Sequence, residues 1–74
     1  MNKVIEDLRN EIKWTRDVIR EQETALEEVK TKIAAGDTDV IAPSCYLASI
    51  RYLDGKIRGF ERAIDLVELA KVGA

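Results

Sequence analysis

Apolar residues recur at alternating spacings of three and four along two long segments of the chain. The repeat in the first segment comprises Ile5, Leu8, Ile12, Thr15, Ile19, Gln22, Leu26, Val29 and Ile33. The repeat in the second segment comprises Tyr46, Ile50, Leu53, Ile57, Phe60, Ile64 and Val67. This heptad spacing is typical of a helix that buries one stripe against another helix. The pattern therefore predicts two long α-helices, at about residues 3–35 and 44–72.

A short connection at residues 36–43 separates the two predicted helices. Gly36 suits the left-handed residue that ends many helices. The second helix begins either with Pro43 in its first turn or with Ser44 as its N-cap. So short a connection brings the second helix back beside the first. We therefore predict an all-α fold in which residues 1–74 form a single domain, an antiparallel, coiled-coil-like two-helix hairpin.

The charged residues support one alignment of the two helices. When Ile33 is placed opposite Tyr46, most apolar residues of one row meet apolar residues of the other. In the same alignment, acidic residues of the first helix come level with basic residues of the second. The acidic set is Asp17, Glu21, Glu23 and Glu28, and the basic set is Arg51, Lys56, Arg58 and Arg62. We therefore expect the charges of one helix to be complemented by those of the other.

Further apolar and small residues lie outside the heptad rows, on a second stripe of each helix. They are Val4, Trp14, Val18 and Ala25 in the first helix, and Ala48, Tyr52, Gly55, Gly59, Ala63, Leu66 and Ala70 in the second. A glycine inside a helix costs about 1 kcal/mol relative to alanine, so Gly55 and Gly59 indicate close approach by another helix or room for a ligand. We predict a homo-oligomer, most simply a dimer that forms a four-helix bundle. The predicted interface comprises Trp14, Val18, Ala48, Tyr52, Gly55, Gly59, Ala63 and Leu66.

Two polar residues, Thr15 and Gln22, interrupt the apolar row of the first helix. A buried polar residue in a helical seam can fix register and oligomeric state, at some cost in stability. The alternative is that both residues line a polar channel at the centre of the bundle. We favour the role in register.

Composition narrows the class of function. The 74 residues include 12 basic and 14 acidic side chains, which gives a net charge of −2, with no His and one Cys. Because the net charge is close to zero, nucleic acid is not the expected partner. The basic row of the first helix is interleaved with acidic residues and is expected to be a solvated surface. This row comprises Arg9, Lys13, Arg16 and Arg20.

The absence of His excludes the usual zinc sites and imidazole-based catalytic triads, and a lone Cys excludes an internal disulfide framework. We therefore expect no enzyme activity, no cofactor and no metal. No apolar stretch approaches the length of a membrane span, and no leader segment is visible. We expect no association with membranes and a cytoplasmic location.

The connection and the start of the second helix hold a candidate ligand site. Free N–H groups at a helix start attract anions, and the residues suited to an anionic, nucleotide-like ligand are Ser44, Tyr46, Arg51, Tyr52 and Arg58. A capped helix start without a ligand is the simpler interpretation. Val40 and Ile41 are apolar residues within the turn, which makes them candidates for contact with a partner protein. Cys45 is expected to be a small buried apolar residue.

The order of these features resembles small helical-hairpin accessory proteins encoded by phages. The likeness rests on the heptad helix, the Gly36-Asp37 turn, Ala42-Pro43-Ser44 and the glycine-spaced stretch from Tyr52 to Glu61. It extends over the whole chain at the level of architecture. The resemblance implies stoichiometric binding that blocks a host protein or sequesters a host signal molecule.

We therefore predict a non-catalytic, homo-oligomeric binding protein that blocks a host protein. One alternative is a sponge that holds an anionic, nucleotide-like signal molecule between subunits. The other is a structural scaffold or coiled-coil adaptor.

Overall fold

The computed structural model describes residues 2–73, which form two α-helices, α1 (Asn2–Ala34) and α2 (Pro43–Gly73), with no strand among them. The helices pack against each other as the predicted hairpin, 61 Å long, 16 Å wide and 12 Å thick. Each helix boundary lies within one residue of the predicted one. Pro43, the last residue of the predicted connection, is the first residue of α2, which agrees with the first of the two helix starts that the sequence allowed.

Pro43 starts α2 because its ring fixes φ near the helical value and because the first helical residue needs no N–H donor. The N–H of Cys45 donates to the carbonyl oxygen of Ala42 at 3.0 Å, which closes the first turn. Ser44 therefore lies inside the helix. Within residues 2–73 its side chain makes no hydrogen bond, so it is not the N-cap.

The turn at residues 35–42 is held by hydrogen bonds that finish α1. Gly36 has a φ of 92°, as its predicted role at the end of the helix requires. The N–H of Gly36 donates to the carbonyl of Ile33 and the N–H of Asp37 donates to the carbonyl of Lys32, both at 3.0 Å. These two bonds form a Schellman motif. The N–H of Asp39 then donates to Oδ1 of Asp37 at 2.9 Å.

The core is a narrow seam between the helices, built from the two heptad rows. Its buried apolar residues are Ile5, Ile12, Leu26, Val29, Ile57 and Ile64. Ile33 departs from the pattern, since 45% of its surface is exposed. The reason is its place in the last turn of α1, where the chain leaves the helix and no further layer of side chains follows.

An ion pair crosses the seam between Arg9 and Glu68, with Nη2 of Arg9 3.8 Å from Oε1 of Glu68. Asp17 and Arg58, expected to face charges on the opposite helix, pair along their own helices. Asp17 pairs with Arg20 at 3.6 Å, and Arg58 pairs with Asp54 at 3.4 Å. The alignment compared positions along the hairpin only, whereas the pairing of a side chain also depends on its direction around the helix. These exposed pairs contribute little to stability.

The shape leaves much surface in contact with solvent. The chain exposes 5691 Å². A compact folded protein of its mass, 8.3 kDa, exposes about 4,600 Å². The hairpin therefore exposes roughly 1,100 Å² more than a compact monomer would by the same scaling.

Candidate functional site

The flat hairpin has two broad sides of opposite character, and the first is charged. An open groove of about 580 Å³ runs along it, with Ile12 and Ile64 among its lining residues. Basic residues of α1, with Asp17 among them, flank the groove on one edge, and acidic residues of α2 flank it on the other. We call this surface the charged side; it comprises Arg9, Lys13, Arg16, Asp17, Arg20, Glu61, Asp65 and Glu68.

The opposite side follows from the geometry of the helix. Trp14 and Val18 are each two residues from Arg16, which at about 100° per residue places both about 160° around α1 from it. Gly59 and Ala63 flank Glu61 in the same way. Leu66 and Ala70 likewise flank Glu68 on α2. We call this surface the apolar side; it comprises Trp14, Val18, Ala25, Tyr52, Gly59, Ala63, Leu66 and Ala70.

The apolar side brings together six of the eight residues predicted to form an oligomer interface. Its largest side chains are uncovered: Trp14 is 61% exposed, Tyr52 68% and Leu66 57%. Ala48 and Gly55 also belong to the predicted interface, but they lie along the edge of α2 that points away from α1. Oligomerisation stays a prediction, and its interface residues are accessible.

The two helical glycines are not required by the packing of α1 on α2. A Cβ atom added at Gly55 or Gly59 would meet no atom within 4 Å. The cost of placing glycine inside a helix is therefore not explained by any contact within the hairpin. Any close approach that needs a glycine here must come from outside the chain.

The apolar side also carries charged side chains that form no ion pair among residues 2–73. Glu21 and Glu28 follow Trp14 at intervals of seven residues, and Glu11 precedes Val18 by seven, so all three lie on the α1 half. Lys56 precedes Ala63 by seven and lies on the α2 half. Within residues 2–73 these four side chains form no ion pair. The amine of Lys56 instead lies 5.8 Å from the ring centre of Tyr52.

The five candidate ligand residues are not gathered into one pocket. Arg51 and Arg58 share a direction because they are seven residues apart, but Tyr52 points about 100° away from Arg51. Tyr46 is half-buried near the seam and Ser44 is exposed at the helix start. None of the five lines the groove of the charged side.

The turn end of the hairpin also presents apolar side chains. Val40 is half-buried, whereas Ile41 is 60% exposed. Cys45 was expected to be buried and is exposed instead. It lies seven residues before Tyr52 and so points toward the apolar side, away from the seam that would have covered it.

Comparison with protein-family models, with curated proteins and with solved structures finds no match for this chain. Over residues 2–73, neither helix combines the length and apolarity needed to cross a bilayer.

The acidic edge of the charged side was not predicted from the sequence, and neither were the acidic residues among the apolar stripe of α1. The basic row of α1 was interpreted alone, without the row formed by Glu61, Asp65 and Glu68. The signal was present in the heptad register, since positions that flank the core on the same side recur every seven residues. Arg9 and Arg16 on α1 and Glu61 and Glu68 on α2 have that spacing.

Proposed function

We propose that this chain is a non-catalytic binding protein that works as a homo-oligomer, most simply a dimer whose two hairpins form a four-helix bundle. One observation carries the proposal: Trp14, Tyr52 and Leu66 are more than half exposed on a single broad side of the hairpin. Large apolar side chains gathered on one side mark an interaction surface. Burying such a side chain contributes about 1.5–3 kcal/mol.

The amount of exposed surface supports the same proposal. A stable protein interface buries about 800 Å² on each partner. The surface that the hairpin exposes beyond the expectation for a compact monomer, roughly 1,100 Å², is of that size. Pairing two hairpins through their apolar sides would give each chain the second layer that a two-helix structure lacks.

A protein target fits the assembled molecule better than a small anion. The residues suited to an anionic ligand point in different directions, and Arg58 is already paired with Asp54. Ile41, in contrast, is an exposed apolar residue at the turn end, outside the proposed interface between copies. The likeness to phage accessory proteins implies stoichiometric binding of a host protein or of a host signal molecule, so it is compatible with a protein target without selecting it.

Matched leucine substitutions on the two sides of α2 test the assembly. Leu66 on the apolar side is 57% exposed, and Leu47 is 44% exposed. Leu47 is seven residues before Asp54 and fourteen before Glu61, so it shares the charged side. We expect Leu66→Glu to raise the dimer dissociation constant at least about a hundredfold, because it buries a carboxylate against apolar groups. Leu47→Glu should leave the constant within about threefold of the original.

The measurement is molar mass by sedimentation or light scattering, over a range of concentrations that spans the dissociation. Circular dichroism on the same samples shows whether each variant remains helical. A wild-type chain that stays monomeric at every concentration overturns the proposal. So does a dimer that both substitutions weaken equally.

A further inference from the structure

We infer that the second copy docks with its turn at the same end of the assembly, so that α1 of each chain packs on α2 of the other. The inference rests on the proposed function and deepens it by fixing which helix meets which. Two hairpins joined by their apolar sides can be related by two different two-fold axes. One axis runs parallel to the helices, and the other runs across them.

The two axes bring different helices together. The parallel axis exchanges left and right but keeps each residue at its own level, so α1 lies on α2 of the second copy with both turns at one end. The transverse axis reverses the level, so α1 lies on α1 and α2 on α2 with the turns at opposite ends. Both arrangements bury the apolar side, and the charges on that side distinguish them.

The charges favour the parallel axis. By the seven-residue spacing, the α1 half of the apolar side carries four acidic residues and one basic residue, namely Asp7, Glu11, Glu21, Glu28 and Lys32. The α2 half carries Lys56 and no acidic residue. The transverse axis would set the acidic α1 halves against each other, which like-charge repulsion opposes. The parallel axis sets each acidic half against the half that carries Lys56.

Positions along the hairpin indicate which residues of the two copies would meet under the parallel axis. Arg9 and Glu68 lie within about one helical turn of each other along the hairpin, because their long side chains form an ion pair. Moving along α1 and back along α2 by equal steps places Glu21 within about one turn of Lys56, and Val18 within about one turn of Gly59. Under the parallel axis, Glu21 therefore meets Lys56 of the second copy. These are two charges that the hairpin itself leaves without an ion pair.

The same positions explain why residue 59 is a glycine. A Cβ at Gly59 would meet nothing within its own chain. In the parallel arrangement the methyl groups of Val18 from the second copy lie against this position. A missing side chain lets the two backbones approach closely there, as small residues do where helices pack tightly.

Distances between spin labels on the exposed thiol of Cys45 decide between the axes. Cys45 lies near the turn end, about 20 Å along the axis from the middle of α2 at 1.5 Å per residue. The parallel axis places the two Cys45 Cα atoms about 14 Å apart, the diagonal of a bundle with helix spacings of 8–10 Å. The transverse axis places them about 40 Å apart along the bundle. Because Cys45 borders the apolar side, the measurement is repeated with the label at Thr38 in a Thr38→Cys, Cys45→Ser variant.

Charge reversal tests the contact itself. We expect Glu21→Lys and Lys56→Glu each to weaken the dimer about tenfold, and the double variant to return to within about threefold of the wild type. Glu61→Lys on the charged side is the control and should leave dimerisation unchanged. A dimer with the long label distance, or a double variant weakened by the product of the two single effects, overturns this inference and leaves the proposed function standing. A monomer overturns both.

Discussion

Thr15 shows how a polar side chain occupies the seam without needing a partner across it. Its Oγ1 donates a hydrogen bond to the carbonyl oxygen of Glu11 at 2.7 Å, one turn earlier on the same helix. The residue is only 7% exposed. The hydroxyl donor is therefore satisfied within its own helix and needs no partner in a polar channel. Gln22, the other polar residue of the row, is half-buried.

Replacing this hydroxyl by a methyl group should stabilise the protein. Thr15→Val removes a buried polar atom and adds apolar volume, while the carbonyl of Glu11 keeps its helical hydrogen bond. We expect the free energy of unfolding to rise by about 1 kcal/mol, measured by urea denaturation. Thr31→Val is the matched control, because Thr31 makes the same bond to Glu27 at 3.0 Å in an exposed position. The control should change stability by less than about 0.5 kcal/mol. A loss of stability specific to Thr15→Val would show that the hydroxyl has another partner.

The sequence predicted the burial of an individual residue only where its position in a heptad row decides that burial. The repeat of three and four identified Ile12, Ile57 and Ile64 as core residues, because position in a heptad row decides their burial. It failed for Ile33, whose burial depends on where the helix ends. It also failed for Cys45, where amino-acid type suggested burial although its direction around α2 leads out of the seam.

At the scale of the elements, local chemistry sets both helix ends at the turn. Gly36 supplies a backbone conformation that other residues adopt with strain, and Pro43 supplies a preset first helical residue. These are short-range effects, so the sequence predicts them well. The direction of a charged side chain around a long helix depends on the position of the seam, and the charge pairing expected for Asp17 and Arg58 was therefore wrong.

Two glycine substitutions separate these local effects. Gly36→Ala places a Cβ on a residue with a φ of 92° and should lower the free energy of unfolding by about 1 kcal/mol. Gly55→Ala adds a Cβ in open space within α2 and should raise it by about 1 kcal/mol. Both changes are measured by denaturation at one fixed protein concentration. Equal effects of the two substitutions would contradict the assignment of Gly36 as the left-handed end of α1.

At the scale of the whole molecule, the hairpin is long and thin. Even its least exposed side chains, among them Leu26, Val29 and Ile57, retain 6% of their surface in solvent. A single layer of two helices that is 12 Å thick has no position that is enclosed on every side. Most of the free energy that stabilises the hairpin must come from side-chain packing along one seam. A second copy would add another seam of similar length. The sequence indicated this surplus of apolar surface, whereas the opposed arrangement of the charged and apolar sides was not predicted, although the heptad register of the two helices contains it.

Thermal unfolding should therefore depend on protein concentration. A dimer gains about 1.4 kcal/mol of stability for each tenfold rise in concentration, which corresponds to an increase in Tm of about 3–6 °C for a folded unit of this combined size. The measurement is circular dichroism or calorimetry over two decades of concentration. Leu66→Glu is the control, and its Tm should not change with concentration. A wild-type Tm that is independent of concentration would contradict the expected coupling of folding to association.

The eight-residue turn between Ala34 and Pro43 has a consequence for alignment along the seam. Heptad rows look alike after a shift of seven residues, about 10 Å, so apolar packing alone discriminates weakly against slippage. The turn opposes such a shift, because the Schellman bonds anchor one end and Pro43 anchors the other, and slippage would pull the chain between them straight and break the Asp39–Asp37 hydrogen bond. Two separate peptides, one for each helix, would lose this tether and would sample several staggered pairings in place of one.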